Sequence, residues 1–135
     1  MPPIAVLAGA FVVAGITAST ASAQDTYIAC TIVSTYDFTT GRTKQTTGDD
    51  VFVISPQPNG PTTYTLPFSC AEGTFQSGES ATEIWFSCDQ RTGNLVFERY
   101  VKIDRVTGEY TSVFAPKGKN GLVHNGSCVR RAPQF

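Results

Sequence analysis

The sequence predicts an all-β domain, a small antiparallel meander closing into a barrel or sandwich of about seven or eight strands. Three observations carry that reading. After the first 23 residues, no window of eleven or more shows helical periodicity, whereas several segments alternate apolar and polar residues. The pentapeptide D-x-x-T-G occurs three times, at Asp37–Gly41, Asp89–Gly93 and Asp104–Gly108, and its residues are turn formers. Four cysteines, Cys30, Cys70, Cys88 and Cys128, supply two staples for a small β domain.

The chain begins with a segment unlike the rest. Residues 1–23 carry no charged side chain, and Ile4 to Ile16 is continuously apolar. A small-residue stretch follows and ends in Ala21-Ser22-Ala23, an A-x-A site that predicts cleavage before Gln24. The apolar run is shorter than the about 20 residues of a membrane span. Residues 1–23 are therefore read as a signal peptide and 24–135 as a single domain, periplasmic or secreted and free of the membrane after cleavage. An even number of cysteines fits an oxidising compartment.

The elements then read in order. Thr26 to Ser34 is a strand with Ile28, Cys30 and Ile32 on one face. Asp37–Gly41 is a turn, Asp50 to Ser55 a second strand, and Pro56 to Pro61 a Pro/Gly-rich loop. Thr62 to Leu66 is a third strand, ended by Pro67, and Glu72 to Ala81 reads as mostly loop. Thr82 to Cys88, Asn94 to Asp104, Glu109 to Ala115 and Leu122 to Arg130 complete the strands, with a Pro116 to Gly121 loop before the last.

The repeated pentapeptide is expected to be a four-residue hairpin loop. Its Asp accepts from the backbone two residues on, and its Gly takes the left-handed exit. Calcium is the rival reading, but a calcium loop needs several oxygen ligands and each copy has one carboxylate. The lone histidine, His124, and the absence of C-x-x-C disfavour zinc. No metal and no cofactor is expected.

If closure brings the first and last strands together, Cys30 pairs with Cys128 and leaves Cys70 with Cys88. Loops of such sizes are worth about 4.7 and about 3 kcal/mol in chain entropy.

Few residues point to chemistry. No catalytic or phosphate-binding motif occurs. A net charge of −1, with no basic stretch, argues against a nucleic-acid partner. Glu98, Arg99 and His124 supply the residue types of small secreted ribonucleases, but neighbours on a strand face opposite ways and the helix of such enzymes is missing. His124 sits in VHNGS, expected to be exposed beside a turn. Arg99 interrupts the apolar face of Leu95, Phe97, Val101 and Ile103. There it is either a buried cation needing a protein or ligand anion, or it escapes through a bulge or at the rim. Trp85 is the candidate aromatic contact, although most aromatics are expected in the core.

Tyr27-x-x-Cys30, Tyr64-Thr65-Leu66 and Ser77-Gly78 within FQSGES are similar to parts of the small periplasmic lysozyme inhibitors. Those proteins are exported, disulfide-bearing β-barrels whose Ser-Gly loop enters the enzyme's cleft. The resemblance implies that Ser77 and Gly78 lie on a projecting loop. Two further parts of that pattern differ here: Glu79-Ser80-Ala81 follows Ser-Gly where an aromatic is expected, and the nearest Lys-Gly is Lys117-Gly118. The sequence thus predicts a non-catalytic exported domain that binds a protein or small ligand in the cell envelope. Inhibition of a cell-wall hydrolase and a hydrolase using His124 are the alternatives.

Overall fold

Alternation at period two is realised as eight strands in the computed structural model, which describes residues 24–131. The signal peptide expected at 1–23 lies outside the described residues. The strands are β1 (Thr26–Asp37), β2 (Arg42–Gln57), β3 (Gly60–Thr65), β4 (Gln76–Glu79), β5 (Glu83–Thr92), β6 (Leu95–Asp104), β7 (Glu109–Pro116) and β8 (Leu122–Arg131). All neighbours pair antiparallel, in the order β3-β2-β1-β8-β7-β6-β5-β4, and the single sheet curls into a half-barrel.

Two meanders make this sheet, β1 to β3 and β4 to β8. They join where the last strand pairs with the first. Cys30 lies directly opposite Cys128 in that ladder, and the two form a disulfide with Cα atoms 3.9 Å apart. The outer edges, β3 and β4, belong to opposite sides of the curl. The chain between them, residues 66–75, crosses the concave face. Leu66, Phe68 and Phe75 from this crossing pack onto the core, and the Cys70–Cys88 disulfide ties it to β5.

The core fills one half of the concave face. Phe52 and Phe86 stack with centroids 5.4 Å apart, and Ile28, Ile54, Ile84, Val101, Ile103 and Tyr110 surround them. A bulge in β1 between Ile32 and Ser34 changes which residues point inward. Before it Ile28 and Cys30 are buried; after it the buried residue is Thr35. The bulge thus marks where the inner face turns from apolar to polar.

The pentapeptides divide two to one. At Asp37 and Asp104 the four-residue loop forms as expected. Asp37 Oδ1 accepts from the Thr39 amide at 2.8 Å, and Asp104 Oδ1 accepts from Val106 and Thr107 at 2.8 and 2.9 Å. The Thr107 and Val106 amides hold the Asp104 carboxyl below its ordinary pKa. Both loops leave through a left-handed glycine, Gly41 at φ 70° and Gly108 at φ 81°. The Asp89 copy is a correction. Asp89 to Thr92 stay in the β5–β6 ladder opposite Glu98 to Leu95, and the turn is only Gly93-Asn94. A two-residue Gly-Asn turn matches the strand twist, so the ladder runs to its limit.

Three boundaries also differ from expectation. β2 begins at Arg42, eight residues before Asp50, because Thr43, Thr46 and Thr47 are β-branched and extend the pairing with β1. The Pro/Gly-rich loop shrinks to Pro58-Asn59. Gln76–Glu79, expected as loop, is the edge strand β4.

The crossing segment is held by its disulfide, by aromatic contacts and by hydrogen bonds of Ala71 and Thr74 to the Asp89 backbone. The double variant C70S/C88S is expected to lower the unfolding free energy by about 3 kcal/mol. Urea denaturation against the wild type measures this, and an unchanged midpoint contradicts the structural role given to the crossing.

Candidate functional site

The polar half of the concave face is built from one row of the sheet. Val101 lies opposite Ser112, Ser112 opposite His124, His124 opposite Thr35, and Thr35 opposite Lys44. Ser112 is fully buried and Thr35 nearly so. Thr35 Oγ1 is hydrogen-bonded to His124 Nδ1 at 2.8 Å and to Thr46 Oγ1 at 2.9 Å. His124 is thus half-buried in mid-strand, not exposed beside a turn. The Asn-Gly that suggested a turn sits opposite the β1 bulge, where the Gly126 Cα abuts the Thr31 carbonyl too closely for a Cβ.

Arg99 stands one row further along, opposite Cys88 and Phe114. Neither ladder of β6 shifts register, so no bulge redirects the side chain and it points into the half-barrel. Its guanidinium lies between the Phe68 and Phe114 rings, 4.8 and 4.7 Å from their centroids. Arg99 Nε donates to Gln90 Oε1 at 3.0 Å, and Nη1 donates to Ser112 Oγ at 3.2 Å. Burial lowers its pKa from the ordinary 12.5, and the nearby Tyr110 and Asp50 act in the opposite sense.

No carboxylate among the described residues lies within salt-bridge distance of Arg99. Nη2 has no hydrogen-bond partner there either, yet no side-chain N or O atom is buried without one. Nη2 therefore keeps some accessible surface. A cation is held in place by rings and neutral acceptors, with its outer N–H pair open.

The remaining charge below this cation is already satisfied. Tyr110, wholly buried, donates its hydroxyl to Asp50 Oδ2 at 2.6 Å. That bond joins β7 to β2 across two intervening strands and fixes the curl. Burial, then the Asp50 bond, hold the Tyr110 phenol well above its ordinary value of 10. Burial, then the Arg99 charge, press His124 below its ordinary 6.5.

The end of the half-barrel nearest this site is charged. It carries the turns at 38–41, 93–94 and 117–121, and Arg42, Lys44, Arg91, Lys117 and Lys119 stand around it with Asp37, Glu72 and Asp89. Two openings flank the site at this end. One of about 470 Å³ is lined by Gln90, Phe114 and Cys70, the other of about 430 Å³ by Thr35, Arg42, Lys44 and Leu122.

The other sequence candidates fall elsewhere. Glu98 faces outward while Arg99 faces inward, so Glu98, Arg99 and His124 share no site. Ser77 and Gly78 pair with Phe86 and Trp85 in β4 instead of forming a projecting loop. Phe75, just before them, packs against Tyr64 and Phe86. Trp85 and Tyr100 are on the convex face, whereas Tyr64, Phe68, Phe75, Phe86 and Tyr110 pack in or onto the core. Among the described residues, no group of three or more metal-ligating side chains is clustered. Sequence reasoning missed Ser112, Thr35, Gln90 and Asp50. Small polar residues at inward positions of β1 and β7 were the signal available.

Comparison with protein-family models, with curated proteins and with solved structures gives no match. The functional reading rests on this chain's own residues.

Because His124 is depressed in the fold, its contribution to stability is present above pH 6.5 and is lost as pH falls through the folded-state value. Unfolding free energy should therefore drop between about pH 7 and pH 5 in the wild type and drop less in His124→Gln. Urea titrations of both proteins at the two pH values check this, and equal slopes contradict it.

Proposed function

We propose that this chain is an exported, non-catalytic binding domain that takes a small anionic ligand at the polar end of its half-barrel. Export is supported by the apolar leader with its A-x-A site and by two disulfides, which are consistent with an oxidising compartment. Anion binding is supported above all by Arg99. A guanidinium carried into a concave face has lost part of its hydration, and cation–π contacts return only about 0.5–2 kcal/mol. An incoming carboxylate or phosphate meets Nη2 there, and a charge-assisted hydrogen bond forms between groups already oriented.

The surroundings fit that role. The rings of Phe68 and Phe114 keep the guanidinium plane fixed, so little side-chain entropy is lost on binding. Among the described residues Arg42, Lys44, Arg91 and Lys119 at the rim have no ion pair, and they favour an approaching anion against the neighbouring Asp37 and Glu72. Asp50 is engaged by Tyr110 and does not neutralise Arg99 directly.

A native mass spectrum of the protein from its own host's exported fraction tests this reading. The expected main species starts at Gln24, is oxidised at all four cysteines and carries added mass that denaturation releases. The same preparation of Arg99→Met should lose that mass while remaining folded. A bare wild-type chain, or an adduct that Arg99→Met retains, overturns the assignment.

A further inference from the structure

The convex face carries a second, separate arrangement. Three rows of side chains run across β4 to β7 on this face. Gly78, Trp85, Lys102 and Thr111 form the first, and Gln76, Ser87, Tyr100 and Val113 the second. Asp89 and Glu98, directly opposed on β5 and β6, form the third with Ala115 of β7.

Trp85 lies flat against the edge strand. A Cβ on residue 78 would meet three indole atoms, Nε1, Cε2 and Cζ2, at 2.3–2.7 Å, so the ring system passes directly over the Gly78 Cα. One indole face is thereby covered by backbone and the opposite face turns outward. Tyr100 stands on the diagonal, with its ring within 19° of parallel to the indole and the centroids 6.4 Å apart. Tyr100 is 39% exposed. The two rings make an aromatic strip that follows the sheet.

Beside the strip runs a groove of about 620 Å³ whose lining includes Gln76, Ser87, Asp89, Glu98, Tyr100 and Lys119. Its walls combine an amide, a hydroxyl, carboxylates and an amine with the apolar surface of Tyr100, Val113 and Ala115. Asp89 and Glu98 are like charges placed directly across a ladder, an arrangement that costs stability. Lys117 Nζ offsets only one of them, at 3.3 Å from Asp89 Oδ2.

We propose that this face is a binding site for a neutral, β-1,4-linked saccharide chain. Equatorial linkages give such a chain a flat ribbon shape, with C–H groups on the ring faces and hydroxyls at the edges. The C–H faces fit the outward faces of Trp85 and Tyr100, which keep their contact area at little entropic loss. The edge hydroxyls meet acceptors and donors along the groove, and vicinal hydroxyls suit the Asp89 and Glu98 carboxylates. These carboxylates also disfavour acidic sugars. A protein partner is the less fitting occupant, because the aliphatic side chains in these rows are only Val113 and the small, buried Ala115. Residue 99 also borders this groove, but its guanidinium lies on the other side of the sheet, between Phe68 and Phe114.

Trp85 is the only tryptophan, so its emission reports on this face alone. The test titrates the folded protein with cellohexaose and chitohexaose, with maltohexaose, whose α-linked chain coils, as the contrast. At least one β-linked hexasaccharide is expected to change Trp85 emission saturably. Tyr100→Ala should weaken that binding by about tenfold, an amount ordinary for loss of one aromatic contact. Glu98→Gln, which leaves the surface shape unchanged, should weaken it too. The inference is overturned if neither β-linked probe gives a saturable change, if maltohexaose binds equally well, or if Tyr100→Ala binds as the wild type does.

Discussion

The pairing of the last strand with the first is the constraint on which the rest of this structure depends. Without the β1–β8 ladder there are two small meanders, neither with a second layer to cover its apolar face. With it they become one sheet whose curl brings Phe52 of β2 against Phe86 of β5, strands far apart in the sheet order. Cys30 and Cys128 sit opposite each other in that ladder and hold it covalently. The Tyr110–Asp50 hydrogen bond works in the same direction, from β7 to β2.

A half-barrel leaves a gap between its edges, and the way this one is covered explains where function can reside. The crossing at 66–75 delivers Phe68 and Phe75 to the concave face and is tied to β5 at Cys88. It covers the apolar half and borders the polar half, where the Phe68 ring lies against Arg99 and Cys70 lines an opening beside Gln90 and Phe114. The bulge in β1 hands the inner face over from Ile28 and Cys30 to Thr35, and the same row brings in His124 and Ser112. Packing and polarity are thus separated along the barrel axis. The apolar end stabilises the fold, and the polar end presents a fixed guanidinium.

Much of this was legible in the residues themselves. The alternation of Leu95 to Ile103 put Arg99 in line with the apolar face and left open an escape by a bulge or at the rim; the ladder keeps its register without a bulge. First and last strands side by side predicted the two disulfides as they occur. What could not be read depended on distant partners. β4 is glycine-containing and polar, and is a strand only because β5 offers it an edge. The amino-terminal half of β2 is equally polar and follows β1. His124-Asn125-Gly126 resembles a turn, but its backbone is held extended between β1 and β7. The Asp89 pentapeptide has the same letters as its two counterparts and a different turn, because the strands flanking it pair closer to the glycine. Gly78 looked like part of a loop motif and is instead the flat seat of an indole.

The proposed function requires Arg99 to be a fixed cation whose outer N–H groups receive an anion. Nitrogen–proton correlation spectra of the guanidinium and of His124, recorded while acetate and then inorganic phosphate are added, address it most directly. Saturable shifts are expected at Arg99 Nε and at His124 together, with the Trp85 indole signal unmoved and the His124 shift abolished in Arg99→Met. No saturable shift with either anion, or a His124 shift that survives in Arg99→Met, would contradict it.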